Sequence, residues 1–154
     1  LRYNSFMLTF ISLLVSFIGL IIGLGAVTVI DVHGFKGRKS PYWTEATTRT
    51  HKVTKPLIWL GIVLFGVGGA FYYASLTLYG IMTLHLLITF VLILNGLFLS
   101  FVVSPFLIKR EKVGRSDVLL PQRLQMWIGF SFIFSFLGWW GSVLLIVLVT
   151  SFIA

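Results

Sequence analysis

Four apolar runs, each longer than twenty residues and free of Lys, Arg, Asp and Glu in its middle, decide what this chain can become. They cover residues 6–30, 56–78, 81–108 and 126–154. A helix crosses a hydrocarbon core of about 30 Å with about 20 residues. Inside that core every backbone N–H and C=O needs a partner within the protein, which only helices and closed barrels provide. The runs are continuous and do not alternate, which excludes a lipid-facing barrel. Only 10% of the residues are charged, against about 25% in soluble domains. The chain therefore reads as an all-α membrane protein, one domain over residues 1–154. The last two runs exceed the needed length, so tilt or extension beyond the membrane is expected. The first run is too long for a signal-peptide core and no small-residue cleavage site follows it, so it reads as a span.

The connections set the expected orientation. Lys36, Arg38, Lys39, Arg49, Lys52 and Lys55 follow the first run; Lys109, Arg110, Lys112, Arg115 and Arg123 follow the third. The second connection, "LTLYG", is uncharged, and the N-terminal side carries only Arg2. Short loops rich in Lys and Arg face the cytoplasm. That predicts a multi-pass protein of the bacterial cytoplasmic (inner) membrane with both termini outside. The uncharged hairpin makes the second and third spans neighbours, and an up-down-up-down four-helix bundle is the simplest closure. The net charge of +8 belongs to those two loops, so anionic lipid headgroups are the expected partner, at about 1 kcal/mol per basic residue. Nucleic acid is not.

The first charged connection has a pattern of its own. In "SPYWTEATTRTHKV", Ser40 suits an N-cap and Pro41 the first helical position. Tyr42, Trp43, Ala46, Thr50 and Val53 fall within an arc of about 100°. Glu45, Arg49 and Lys52 fall opposite, with Glu45 and Arg49 in the favourable i,i+4 order. A short interfacial helix over residues 41–53 is predicted, aromatic face toward lipid, with Pro56 starting or kinking the second span.

Helices in lipid associate by close fit, which favours small residues. Ser12, Ser16, Gly19, Gly23 and Ala26 on the first span recur at spacings of 4, 3, 4 and 3, and Ser131, Ser135, Gly138 and Ser142 on the fourth at 4, 3 and 4. Gly61, Gly66, Gly69 and Ala70 form a looser set on the second. These are expected helix–helix contact faces.

Few polar residues are left to carry chemistry. His85 and Asn95 on the third span lie about 80° apart on an ideal helix, so both are expected to look into one bundle interior, each making an interhelical hydrogen bond. His85 is the only histidine inside a run, so a deep haem with two histidine ligands from one chain is not available. His33 and His51 bracket the first charged connection, and with Asp31 they offer two nitrogens and one oxygen for an open metal site. The absence of cysteine removes disulfides, thiolate metal sites and cysteine nucleophiles. The sequence has no HExxH, GxSxG or Walker motif and no carboxylate pair within a span. Two function classes follow. The first is a non-catalytic accessory or structural subunit that packs against other membrane proteins or a second copy. The second is a redox or metal-handling protein with haem or a transition metal at the cytoplasmic edge, where His33, His51 and His85 are the cofactor candidates and Asp31, His33 and His51 the metal candidates.

"GLGAVTVIDVHGF", "TKPLIWLGIVLFGVGG", "LILNGLFLSFVVSPFL" and "SFLGWWGS" together resemble a group of small bacterial membrane proteins, loosely similar to the copper-resistance D-like membrane proteins. Asp31, Asn95, Gly96 and Pro105 are the matching positions. The resemblance implies a four-helix bundle and metal or haem handling. Gly96 joins Asn95 in the expected packing set.

Overall fold

The computed structural model of the chain describes residues 2–153, with side chains described for residues 6–152. The side chain of Arg2, counted above on the side opposite the basic loops, and Ala154 at the end of the fourth run lie outside them. Among the described residues every regular element is helical: α1 (Arg2–Gly37), α2 (Pro41–Ser75), α3 (Tyr79–Phe98), a π-helical segment (Leu99–Val103), α4 (Ser104–Lys112) and α5 (Gln122–Ile153). α3, the π segment and α4 run on without a break. Among the described residues four stretches are long and apolar enough to cross a membrane: Phe6–Gly37, Pro41–Ser75, Tyr79–Lys112 and Gln122–Phe152.

α1 and α2 share the most extensive contact. Its pairs run in opposite order along the two helices: Thr9 bonds Ser75 at 2.8 Å, Ser16 lies against Gly68, Gly19 and Gly23 lie against Gly61, and His33 bonds Thr50. Glycine sits at each backbone crossing because any side chain there would meet main-chain atoms. Ser12, Ser16, Gly19, Gly23 and Ala26 are all buried along this face. α2 then packs on α3, α3 on α5, and α5 on α1. Leu20, Ile62, Phe65, Tyr72, Tyr73, Leu92 and Trp139 fill the space between the four helices.

The expected interfacial helix is not a separate element. Residues 41–53 are the first turns of α2, which continues through Pro56 to Ser75. The reason lies on a face the aromatic residues do not share. Thr44, Thr48, His51 and Thr54 are buried, and the same stripe passes into Gly61, Ile62 and Phe65. Thr48 and Thr54 donate their hydroxyls to carbonyls four residues back, so they enter an apolar contact without an unmet polar group. Trp43 stands against α1 under the Lys36 ammonium, 4.4 Å from the ring centroid, and 5.1 Å from the His33 ring. Only Tyr42 and Val53 of the predicted aromatic face are left exposed. Ser40 is extended but makes no side-chain cap. Thr44 instead donates to the Gly37 carbonyl at 2.7 Å, tying the end of α1 to the start of α2.

The π segment has a cause in the sequence. Pro105 has no N–H and its ring clashes with the carbonyl four residues back, so an α-helix cannot pass it unchanged. The backbone widens just ahead of it, and the Ser104 amide reaches Leu99, five residues back. In that register residue 105 would donate to Ser100, which proline cannot do. The Ser100 carbonyl is left to a side chain, and Lys55 of α2 donates to it at 3.5 Å.

Candidate binding cavity

The widened turn borders a cavity of about 460 Å³, within the range of about 300–1,000 Å³ typical of ligand pockets. It lies at the end of the helices that carries the basic connections. Its walls come from the end of α1, the first half of α2, the π segment and the start of α5. Most of the lining is apolar, including Ile58, Trp59, Val103 and Leu107. Asp31, Arg38, His51, Lys55 and Ser100 are among the polar exceptions.

Each of these is placed by a local rule. Asp31 and Gly34 stand three apart on α1, with Arg38 in the turn just after it, and His51, Lys55 and Ile58 recur at spacings of 4 and 3 on α2, so each helix turns one face to the cavity. Trp59 donates its indole N–H to the Ser100 hydroxyl at 3.0 Å, which spans the floor from α2 to the π segment. His51 is only 8% exposed, and its Nε2 has no hydrogen-bond partner among the described residues. Asp31 makes no hydrogen bond or ion pair among the described residues, where the ion pairs are Arg49–Glu45 and Lys52–Glu111. The second of these, at 2.6 Å, clasps the first half of α2 to α4 beside the cavity. Arg110 donates to the carbonyls of Val118 and Leu119 and so orders the connection into α5.

The residues singled out in the sequence divide among three places. Asp31 and His51 line the same cavity, whereas His33, two positions on from Asp31, turns to Thr50 and Trp43 and is not among the lining residues. Among the described residues no group of three or more His, Cys, Asp or Glu stands close enough to hold a metal ion. One imidazole and one carboxylate fall short of a metal centre or a haem ligand pair.

His85 is 1% exposed and lies in a groove of α2, with its Nε2 3.3 Å from the Gly66 carbonyl and its ring against Phe65, Tyr73 and Gly69. That contact encloses the imidazole between α2 and α3. Asn95 faces α5 instead, donating to the Ser131 carbonyl at 3.2 Å and accepting from the Ser131 hydroxyl at 2.6 Å. His85 and Asn95 thus serve different neighbours and do not share one interior. Gly96 lies against Trp59, and Gly138 against Leu92. Ser135 and Ser142 are buried on the same face of α5 as Ser131.

Lys55, which reads in the sequence as membrane-facing charge, belongs to this cavity, as do Trp59 and Ser100, which the sequence does not single out. The signal that points to them is Pro105 inside an apolar run, together with a lysine four residues after a histidine on a neighbouring helix.

Comparison with protein-family models, with curated proteins and with solved structures finds no match. The site is defined by its own geometry: four long apolar helices enclosing an apolar cavity with a polar end.

Proposed function

We propose that the protein is a non-catalytic, accessory component of the cytoplasmic membrane that holds an amphiphilic ligand between its helices. The observation that carries this reading is the cavity itself, apolar over most of its wall, with the unpartnered His51 Nε2, Lys55 and Asp31 gathered along it. Polar and charged groups at membrane depth are costly and mark ligand sites when they face a cavity. Redox or metal handling finds less support, because His33 and His85 are engaged away from the cavity.

A saturable fluorescence change of an NBD-labelled lysophospholipid with the detergent-purified protein tests the reading. A Cβ on Gly34 meets nothing within 4 Å, and Gly34 lines the cavity. Gly34→Leu is therefore expected to fill the site without distorting the helices and to weaken probe binding roughly tenfold. Gly25→Leu, also on open space but away from the cavity, should leave it unchanged. Unsaturable binding, or equal binding by both variants, removes the proposal.

The same reading includes an up-down-up-down bundle with both termini outside. It is supported by the opposed contact order of α1 and α2 and by the clustering of basic residues in the two connections at one end. Single cysteines at Ser40 and Ser116 are expected to resist a membrane-impermeant maleimide in intact cells and to react once the cells are opened. Strong labelling of both from outside would invert the topology.

A further inference from the structure

We infer that the occupant of the cavity is a membrane phospholipid with a phosphate–ammonium headgroup of the phosphoethanolamine type. This rests on the amphiphile-binding reading above and adds the headgroup chemistry. The first observation is that the cavity wall carries charged groups of both signs that form no ion pair, beside a buried polar atom with no partner. Among the described residues the one hydrogen bond of Lys55 goes to the Ser100 carbonyl, at the 3.5 Å limit. Arg38 and Asp31 form no ion pair among the described residues, and the buried His51 Nε2 has no partner among them.

Charges in a low-dielectric site are stabilised only by opposite charge and hydrogen bonds. A purely anionic head would answer Lys55 and Arg38 but add repulsion at Asp31. A purely cationic head would do the reverse. A head bearing both a phosphate and a primary ammonium answers the two signs together, with phosphate oxygens toward Lys55 and Arg38 and the ammonium N–H groups toward Asp31. His51 adds a hydrogen bond to a phosphate oxygen. A quaternary ammonium has no N–H to donate to the carboxylate, so a phosphocholine head fits less well.

The second observation concerns the way in. Phe130, Phe132 and Ile133 line the cavity and are nevertheless 52%, 40% and 50% exposed. The cavity is thus open beside the first turns of α5, where large apolar side chains stand exposed. An acyl chain lies in the apolar part of the cavity and passes out along α5, which a ligand drawn laterally from a bilayer requires and a water-soluble one does not.

Native mass spectrometry of the delipidated full chain decides the point, with phosphatidylethanolamine, phosphatidylglycerol and phosphatidylcholine of identical acyl chains added in equal amounts. The wild type is expected to retain phosphatidylethanolamine roughly tenfold over the other two, a ratio typical of one charge-assisted contact. Asp31→Asn should abolish that preference and raise phosphatidylglycerol retention. Lys55→Gln should reduce retention of all three. Asp117→Asn, outside the cavity, should match the wild type, and thermal melts establish that each variant is folded. Equal or greater retention of phosphatidylglycerol by the wild type overturns the headgroup assignment alone, as does an unchanged preference in Asp31→Asn. Retention of no phospholipid, together with loss of saturable lysophospholipid binding, overturns the cavity reading as well.

Discussion

Replacing Gly61 with leucine is expected to separate α1 from α2 and to lower the melting temperature by about 6–12 °C, the equivalent of roughly 3 kcal/mol or more in a chain of this size. The size of the effect follows from what the new atom meets. A Cβ on Gly61 would stand 2.7 Å from the amide nitrogen of Gly23 and 2.9 Å from the carbonyl oxygen of Gly19. Both are backbone atoms of the facing helix, so no rotamer change relieves the collision. The reverse holds at Gly19, whose Cβ would lie 2.8 Å from the Gly61 carbonyl oxygen. Separation would also cost the remaining crossing at Gly68 and the bond from Thr9 to Ser75. In lipid, no hydrophobic force between helices offsets such losses, because the tails solvate apolar side chains equally well. Gly141→Leu, where a Cβ meets nothing within 4 Å, should stay within about 0.5 kcal/mol of the wild type. Circular-dichroism melts of the two variants in the same detergent make the comparison. A Gly61→Leu protein melting within about 2 °C of the wild type, a difference of about 1 kcal/mol or less, would show that the helices do not meet as described.

Trp139→Ala is expected to loosen α5 selectively. Trp139 is 1% exposed. Its indole fills the notch left by Gly23 on α1 and stands 5.8 Å from the Phe65 ring on α2. α5 is also held by the Asn95–Ser131 pair, by its Gly138 fitting against Leu92 of α3, and by the buried Ile146 and Val149 nearer its C-terminal end. Buried Trp→Ala changes cost about 3–5 kcal/mol in soluble cores. Part of that is transfer from water, which lipid removes, so about 2–3 kcal/mol from lost contact and cavity is expected here. Hydrogen exchange in detergent should accelerate along residues 125–145, while the α1–α2 interface keeps its protection. Uniform acceleration in all four helices would mean that α5 is integral to one cooperative unit. No change would mean that the indole is not a tie. Trp139→Phe should fall between, since a smaller ring still enters the notch.

Much of this architecture is legible in the order of the residues alone. Span number and approximate span position follow from run length. The small-residue spacing on residues 12–26 and 131–142 picks out faces that lie buried. The physical reason is that both signals are local and periodic, and a helix translates sequence spacing directly into angle. Local periodicity fails where two helices compete for the same residues. Tyr42, Trp43, Ala46, Thr50 and Val53 do share an arc, but the threonines on the adjoining face can bury once their hydroxyls bond backward to carbonyls. Contact with α1 then carries the helix through Pro56. Helical angle places His85 and Asn95 near each other, yet one fits a glycine groove on α2 and the other bonds a serine on α5.

The sequence by itself determined that the chain is helical, that it has four stretches able to cross a membrane, and which faces carry small residues. Each of these depends on composition and on repeats within a few turns. Only the tertiary structure decided that Asp31 and His51 share a wall while His33 does not, and that Lys55 reaches the Ser100 carbonyl. Those outcomes depend on how α1, α2 and the third helix are rotated and staggered against one another. Backbone crossings at Gly19, Gly61 and Gly68 set that rotation through contacts between residues far apart in the chain, and the N–H that Pro105 lacks leaves the Ser100 carbonyl to Lys55 of α2.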